Sequence, residues 1–321
     1  MPASIVVVGS LNMDLVVRAP RMSAPGETLF GSDFHTIPGG KGANQAVAAA
    51  RLGGQVTMVG RVGDDAFGPT LIHGLAQAGV ETRFVQRDTG AATGIALIVL
   101  DASGQNSIIV ASGANMRLTP DDVSAAETVI ASASAIVLQL ESPLAAVERA
   151  LALARQHRVA TILNPAPAQP LSDRLLKLVD FLIPNETEMA LLTGTPVDDH
   201  SLRAGQALVA ASSAAGRLRT MGAGTVIMTL GSNGALLVGD ETLHLPAYQV
   251  PVVDTTAAGD AFVGAFAVAL ADGRPVIEAV RWANAAGALA VTKLGAQPSM
   301  PTRAELEAFL DATRTTYHAL R

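Results

Sequence analysis

The sequence predicts an α/β protein built on a doubly wound, mostly parallel sheet flanked by helices, in a single domain spanning 1–321. Short β-branched apolar runs alternate with longer segments rich in Ala and Leu, and the runs are apolar on both faces. Strands of that kind are buried on both sides, so helices must cover both faces of the sheet. Hydrophobic residues make up 49% of the chain and charged residues 16%, which suits a large folded core and not a disordered chain.

Six apolar runs are predicted as strands of the main sheet: Ile5–Gly9, Val56–Val62, Ala135–Leu140, Val159–Leu163, Asp180–Ile183 and Thr225–Leu230. The segments between them are predicted as helices: Gly42–Leu52, Ala66–Ala78, Pro120–Ala133, Pro143–His157 and Ser201–Arg217. Strands that alternate with helices in this way indicate parallel crossover units.

Two segments, about 13–38 and 92–112, break this alternation. The first holds short strand-like pieces, Leu15–Val17, Thr28–Phe30 and Phe34–Ile37, separated by prolines and glycines. In the second, Thr93–Leu100 and Ser107–Val110 are joined by a turn-like 101–105. We expect a small antiparallel β lid here, which would cover a site, contact another subunit, or do both. The alternative is a pair of ordinary surface hairpins.

Composition excludes several classes of protein. The net charge is −6 and no basic run occurs, so neither nucleic acid nor an anionic membrane is expected as a partner. With no cysteine, the chain cannot form disulfides, thiolate nucleophiles or Cys-ligated zinc sites. The longest near-continuous apolar stretch, Ala261–Ala271, is too short to cross a bilayer. Because the first residues read as a buried strand and not an export signal, we expect a cytoplasmic location.

The common nucleotide and hydrolase motifs are absent. Lys41 is followed by Gly42, so no Walker A loop is present, and no G-x-G-x-x-G follows the first strand. Neither G-x-S-x-G nor H-E-x-x-H occurs. The sequence therefore gives no support for a generic hydrolase, an NAD enzyme or a zinc protease.

The turn Ala257-Ala258-Gly259 precedes Asp260 and an apolar helix. A helix start collects unpaired N–H groups and the positive end of the dipole, and small residues let an anion approach them. Asp260 is then either an ordinary acid in the first helical turn or a base that accepts the proton of an attacking hydroxyl. In the second case the amides before it would stabilise a transferring phosphoryl group.

Polar side chains also follow several predicted strands, where ligands bind in parallel sheets. Glu141 follows one strand, and Asn185 with Glu188 follows another, although these two also fit a helix capping box. The stretch Thr229–Gly234 could be a bare hairpin turn or could approach nucleotide phosphates with its backbone. Near the start, Asn12 and Asp14 follow the first strand, and Gly39-Gly40-Lys41-Gly42-Ala43-Asn44 opens a helix. Such a cluster suits a polyhydroxylated ligand.

Taken in order, these segments resemble the ribokinase-like family of carbohydrate and purine kinases, over nearly the whole chain. The matching stretches are 9–14, 39–46, 138–143, 164–167, 184–188, 254–260 and 295–299. Two departures stand out. Ala257 replaces the glycine usual in the family, and Met13 is bulkier than the residue expected there, which bears on fine sugar preference.

The resemblance implies ATP-dependent transfer of a γ-phosphoryl group to the 5-hydroxyl of D-ribose, giving D-ribose 5-phosphate and ADP. It implies that Asp260 is the base and that the amides of Ala257, Ala258 and Gly259 form the anion hole. It assigns the sugar to Asn12, Asp14, Gly39, Gly40, Lys41, Asn44, Glu141 and Asp260. It assigns ATP to Asn185, Thr229, Gly231, Ser232, Gly234, Gly259 and Asn284. It places Mg²⁺ near Glu188, through water, and K⁺ near oxygens of Asp254, Thr256, Ala290, Lys293, Gly295 and Ser299. It also implies a homodimer through the β lid.

Other functions remain open at this point. The acceptor could instead be deoxyribose, fructose, a nucleoside or a sugar acid. A non-catalytic sugar sensor could keep the fold, since fold alone does not guarantee chemistry. A purely structural scaffold would explain none of the glycine turns.

Overall fold

A computed structural model describes residues 3–101, 106–195, 204–313 and 318–319 of the chain. Within that part, the strands are β1 (Ser4–Val8), β2 (Asn12–Arg18), β3 (Ser32–Gly39), β4 (Gln55–Gly63), β5 (Glu81–Asp88), β6 (Gly94–Leu100), β7 (Asn106–Ala111), β8 (Ala135–Leu138), β9 (Ala160–Leu163), β10 (Phe181–Leu182), β11 (Thr225–Thr229), β12 (Ala235–Val238), β13 (Thr242–Leu245) and β14 (His318–Ala319). The helices are α1 (Lys41–Arg51), α2 (Phe67–Gln77), α3 (Pro120–Ala125), α4 (Glu127–Ala131), α5 (Leu144–His157), α6 (Asp173–Leu176), α7 (Glu186–Thr193), α8 (Ala204–Met221), α9 (Ala258–Ala271), α10 (Val276–Ala290) and α11 (Arg303–Ala312).

Within the described residues, the main sheet has ten strands in the order β14-β13-β12-β11-β10-β9-β8-β1-β4-β5. The seven strands from β11 to β5 are parallel, whereas β12, β13 and β14 add an antiparallel edge. This arrangement confirms the predicted doubly wound, mostly parallel α/β class.

The first strand shows why the sheet is covered on both faces. Ile5 and Val7 lie in one apolar core, with residues of α1, α9 and α10, and Val6 and Val8 lie in the other, with residues of α5 and α8. Successive side chains of a strand point to opposite faces, so a run without polar residues needs two cores. The carboxyl ends of the parallel strands consequently open at one edge between these layers.

In the part of the chain that the structure describes, a second sheet of four strands, in the order β3-β2-β6-β7, occupies the segments expected to form the lid. Its outer pairs, β2 with β3 and β6 with β7, are antiparallel, while the central pair β2 and β6 is parallel. The predicted strand Thr28–Phe30 is irregular backbone. Residues 102–105 of the predicted turn lie outside the described residues, as do 201–203 of the predicted helix Ser201–Arg217.

The remaining differences concern edges and short elements. The segment predicted as one helix, Pro120–Ala133, is two helices divided at Ala126, which serves as cap of both. Strand β5 was not predicted because charged residues interrupt its apolar pattern. It lies at the edge of the sheet, where charged side chains are common. The helices α6, α10 and α11 and the hairpin β12–β13 were also not predicted. In the described part of the chain, no helix is long and apolar enough to cross a membrane.

Candidate active site

The candidate site lies where the carboxyl ends of β1, β8, β10 and β11 meet the first turns of α1, α7 and α9. Asn12 and Asp14 follow β1, Glu141 follows β8, and Asn185 follows β10 and forms an isolated bridge with Thr229 at the end of β11. This edge is the usual ligand position of doubly wound sheets. Segments far apart in the chain are thereby brought to one place.

Asp260 is buried in the first turn of α9 and is held by two side-chain amides of α1. Its Oδ2 accepts a hydrogen bond from Asn44 Nδ2 at 2.9 Å, and its Oδ1 accepts one from Gln45 Nε2 at 2.9 Å. Burial raises its pKa, while Lys41 and the two amides act in the opposite direction. A carboxylate fixed in this way has one orientation in the site.

The turn before Asp260 has an unusual backbone conformation. Ala257 is the N-cap of α9 and has φ of 58°, the left-handed conformation that favours glycine. Ala257, Ala258 and Gly259 line the same cavity as Asp260. The N–H of Ala258 makes only a long bond, 3.3 Å, to the Thr255 carbonyl. The turn therefore presents backbone N–H groups at a helix start, next to a carboxylate, as the sequence suggested.

The glycines at the start of α1 are required by close approach. A Cβ on Gly39 would lie 2.3 Å from a carboxylate oxygen of Asp14, and one on Gly42 would lie 2.6 Å from the Ser10 nitrogen. Gly40 has φ of 90°, and a Cβ there would lie 2.7 Å from the Asn12 nitrogen. Any side chain here would push α1 away from the start of β2, which carries Asn12 and Asp14.

Hydrogen bonds orient the polar groups of this pocket. Asn12 Oδ1 accepts from Asn115 Nδ2 at 2.7 Å. Glu141 Oε2 accepts from the Ser10 hydroxyl at 2.5 Å and from the Lys41 backbone N–H at 3.1 Å. Among the described residues, Asn44 Oδ1 is buried and has no hydrogen-bond partner. Since an unpaired buried acceptor is costly, this oxygen fits a ligand that brings a hydroxyl donor.

The site collects four carboxyl groups, and three of them, Asp260, Glu141 and Glu188, act on the charge of Lys41. Burial raises the pKa of Asp14 to about 7, helped by the charges of Glu141 and Asp260, and burial also raises the pKa of Glu188. For Lys41, burial lowers the pKa, but Asp260, Glu141 and Glu188 together outweigh this effect and raise it. Lys41 is accordingly charged at neutral pH and offsets part of the acidic charge.

Two cavities, of about 380 and 370 Å³, adjoin this pocket and have residues of the Gly231 and Gly259 turns in common. The first holds Lys41, Asn185, Glu188 and Asp260, and the second holds Ser232, Gly234 and Asn284. Asn185 and Glu188 form the predicted capping box of α7, with Glu188 Oε2 accepting from the Asn185 N–H at 2.8 Å. Together the cavities form a continuous groove past the helix start of α9.

The residues suggested for a monovalent cation lie on two loops that contact each other. Asp254 Oδ2 accepts from the Gly295 N–H at 2.9 Å, and its Oδ1 accepts from the Thr256 N–H at 2.9 Å. Ser299 donates to the Ala296 carbonyl, and the Lys293 N–H bonds to the Ala290 carbonyl. The Lys293 side chain is a cation without a lone pair and pairs with Glu305, so only the backbone oxygen of Lys293 is a candidate ligand.

Sequence reasoning assigned no role to Gln45, Gln139, Asn164, Ser10 or Asn115. All five lie in or beside the site, and Gln45 and Gln139 are fully buried. The available signal was Gln45 next to Asn44 at the start of a helix that is otherwise small and apolar up to Ala50, since a buried amide needs partners.

A buried carboxylate beside a helix start, polar side chains around a small pocket and an adjoining groove define the class of an ATP-dependent sugar kinase. The model of the family described as pfkB family carbohydrate kinase matches residues 2–303. The ribokinase of Haemophilus influenzae is 42% identical over 97% of this chain and 99% of its own length. The deoxyribokinase of Salmonella typhi is 39% identical over 95% of this chain and 98% of its own.

A solved structure of a ribokinase is also similar to this chain over nearly its whole length. The Arabidopsis thaliana ribokinase complexed with ribose and ATP superposes with a TM-score of 0.88 and 35% identity, covering 97% of this chain and 99% of that one. This chain belongs to the pfkB family of carbohydrate kinases.

Proposed function

We propose that the protein is a ribokinase, which transfers the γ-phosphoryl group of ATP to the 5-hydroxyl of D-ribose and forms D-ribose 5-phosphate and ADP. The observation that carries the proposal is the position of Asp260, buried at the start of α9 between a polar pocket and the groove. Full-length similarity to the Haemophilus ribokinase supports it.

The groups around the pocket suit a sugar. Asn12, Asp14, Gly39, Gly40, Lys41, Asn44 and Glu141 would bind its hydroxyls. Asp14 would accept from the two secondary hydroxyls, and the unpartnered Asn44 Oδ1 would accept from a third. The sugar hydroxyl that reacts must lie beside Asp260, which would remove its proton as its oxygen attacks the phosphorus.

Phosphoryl transfer depends on position and on charge stabilisation more than on covalent help. The hydroxyl oxygen forms a bond to the γ-phosphorus while the bond to the bridging oxygen of ADP breaks. The amides of Ala257, Ala258 and Gly259 would stabilise the transferring group. Asn185, Thr229, Gly231, Ser232, Gly234 and Asn284 would border the nucleotide.

Two ions complete the proposal. Mg²⁺ bound to ATP would neutralise phosphate charge, with Glu188 contributing through water. K⁺ would sit between the loops joined by Asp254 and would orient the amide turn, with oxygens of Asp254, Thr256, Ala290, Lys293, Gly295 and Ser299 as ligands. The direct bond between Asp254 and Gly295 supports this assignment.

The small sheet would serve as lid and as dimer contact. Asp14 lies in register with Ala96 and Val110, whereas Leu97 pairs with Ile109, so Leu97 and Ile109 point to the opposite face. Both are exposed. We propose that this apolar face meets a second copy of the chain, in a cytoplasmic homodimer.

A coupled assay for ADP tests the activity with ribose, 2-deoxyribose, fructose and adenosine, in potassium and in a potassium-free buffer. We expect the highest kcat/KM for ribose, and a loss with deoxyribose that reaches about 10⁴-fold in favourable sites, because a hydroxyl partner of Asp14 is missing. The deoxyribokinase relative makes deoxyribose the second candidate acceptor. Equal kcat/KM for the two sugars would remove Asp14 from sugar discrimination, and no turnover of any sugar would favour a sensor.

Replacing the proposed base gives a direct test. Asp260→Asn should lower kcat by roughly 10²- to 10⁴-fold, the contribution of a general base, while calorimetry still detects ribose and ATP. Asp272→Asn, at the other end of the same helix, is the matched control and should keep wild-type kcat. Full activity in Asp260→Asn would exclude Asp260 as the base.

A further inference from the structure

A chain of side-chain amides lies behind Asp260. Asn164 Nδ2 donates to the Ile183 carbonyl at 2.9 Å, so its Oδ1 faces Gln45 and accepts from Gln45 Nε2 at 3.1 Å. Gln45 Oε1 accepts from Gln139 Nε2 at 2.6 Å. The remaining N–H of Gln45 donates to Asp260 Oδ1. Every polar atom of Gln45 is therefore used.

The direction of these bonds follows from one group that cannot donate. The Ile183 carbonyl is an acceptor only, which fixes the orientation of the Asn164 amide. Asn164 in turn fixes the amide of Gln45, and Gln139 reinforces it from the other end. Asp260 Oδ1 consequently accepts a hydrogen bond from an N–H group. A proton on Oδ1 would point at that N–H, so protonation of Oδ1 is unfavourable.

We propose that Gln45 is a positioning residue for the transfer reaction, which anchors Asp260 through Oδ1 and leaves Oδ2 as the atom that takes the proton of the sugar hydroxyl. The inference rests on the proposed function and adds the group that orients the base. Oδ2 accepts only from Asn44 among the described residues, which leaves a second lone pair for the substrate.

The packing around the chain argues for a specific role. Gln45 is fully buried on α1, and the residues that share its face one turn further on, Ala48 and Ala49, are buried and apolar, so an aliphatic side chain would pack there without any need for partners. A Cβ on Gly9 would lie 1.9 Å from Gln139 Oε1, so the end of β1 has room for Gln139 only because residue 9 is glycine. Helix α1 and the end of β1 thus both make room for the chain of amides that leads to Asp260.

The pH dependence of kcat distinguishes a role of Gln45 in positioning the base from a role in packing alone. The charged groups that face Asp260 are Lys41 of α1, Asp14 of β2, Glu141 after β8 and Glu188 of α7. All of them remain when Gln45 is replaced. A hydrogen bond to the carboxylate favours its charged form, so its loss raises the pKa of the base. The base must be ionised, so the ascending limb of kcat against pH should move to higher pH.

The experiment compares Gln45→Met and Gln139→Met with the wild type and with Gln77→Met, an exposed glutamine of α2 that serves as control. kcat is measured from pH 5.5 to 9.5 at saturating ribose and ATP. For Gln45→Met we expect kcat at pH 7 to fall on the order of 10- to 100-fold, as for a lost hydrogen bond to a charged group, with recovery toward high pH. KM values should change less than about 3-fold. Gln139→Met should show a smaller movement in the same direction.

The outcomes separate the two proposals. A wild type that transfers no phosphoryl group to any sugar refutes the proposed function, whatever the variants do. With an active wild type, a loss in Gln45→Met that is equal at every pH, or no loss, overturns the inference. If Gln45→Met does not fold, as shown by circular dichroism, Gln139→Met decides, and an ascending limb at the wild-type position overturns the inference.

Discussion

At the scale of single residues, the site depends on a backbone conformation that its own sequence disfavours. Ala257 adopts φ of 58° at the cap of α9, where glycine would be free of strain. A left-handed alanine costs roughly 1–2 kcal/mol, but glycine has more freedom to lose on folding. The two effects nearly cancel, so alanine can occupy this position while its N–H stays in place.

Ala257→Gly should therefore retain kcat and change the free energy of unfolding by about 0–1 kcal/mol in the stabilising direction. Ala258→Gly is the matched control, because residue 258 already lies in α9 and has no left-handed strain to relieve. It should destabilise by about 0.5–1 kcal/mol. Urea unfolding of both variants measures the difference, and a larger loss for Ala257→Gly than for Ala258→Gly would contradict the account of strain.

A second prediction at this scale is that Asp14 makes the stability of the folded protein depend on pH. Burial raises its pKa in the folded protein from the ordinary value of 3.8 to about 7, so the folded state binds a proton that the unfolded state releases. Stability then falls as pH rises from about 4 to 7. Asp14→Asn, which cannot ionise, should raise Tm relative to the wild type more at pH 8 than at pH 4.5, while its ribose affinity falls.

Differential scanning calorimetry of the ligand-free protein measures the two Tm differences. Asp33→Asn, at an exposed position of β3, is the control and should show the same small difference at both pH values. A Tm difference for Asp14→Asn that does not vary with pH would mean that burial does not penalise the charged carboxylate.

At the scale of elements, polar hydrogen bonds attach the small sheet to segments that follow strands of the main sheet, at the start of both β2 and β6. Asn115, in the short 3-10 helix Gly113–Arg117, accepts from the Leu11 N–H at 2.9 Å and donates to Asn12. Thr93, just before β6, donates from its N–H and its hydroxyl to Asp65, both at 2.7 Å. Hydrogen bonds thus hold the starts of β2 and β6, while the other ends of the two strands extend away from the main sheet.

Asn115→Ala should weaken sugar binding through Asn12. The substitution leaves the Leu11 N–H and Asn12 Oδ1 without partners, which costs about 1–3 kcal/mol per buried group. We expect KM for ribose to rise at least about 10-fold and KM for ATP to change less than about 2-fold. Asn106→Ala, exposed on β7, controls for a general effect on the small sheet. Equal changes in both KM values would show that Asn115 acts on the whole fold and not on the sugar pocket.

At the scale of the whole molecule, exposed apolar side chains concentrate on the small sheet. Phe34, Leu97, Ile108, Ile109 and Val110 are all exposed, although a sheet of a monomer usually keeps such residues apart. Covering the face with Leu97 and Ile109 by the same face of a second copy would remove this surface from water.

Ile109→Lys should convert the proposed dimer to monomer, because a buried charge without a partner is strongly unfavourable. Sedimentation velocity over a range of concentrations measures the change. Val209→Lys on α8 is the matched control, since both side chains are 66% exposed in the single chain. A wild type that sediments as a monomer at every concentration would refute the dimer.

The sequence by itself determined the alternation of buried strands and helices, because a run such as Ile5–Val8 can be buried only in a two-sided sheet. It also indicated the helix start at Asp260 and the glycines before α1, which are local features of backbone conformation. Tertiary structure alone decided that β2 and β6 pair in parallel and that Gln45 meets Asp260. Those contacts join residues distant in the chain, and no local pattern records which buried amide will reach which carboxylate.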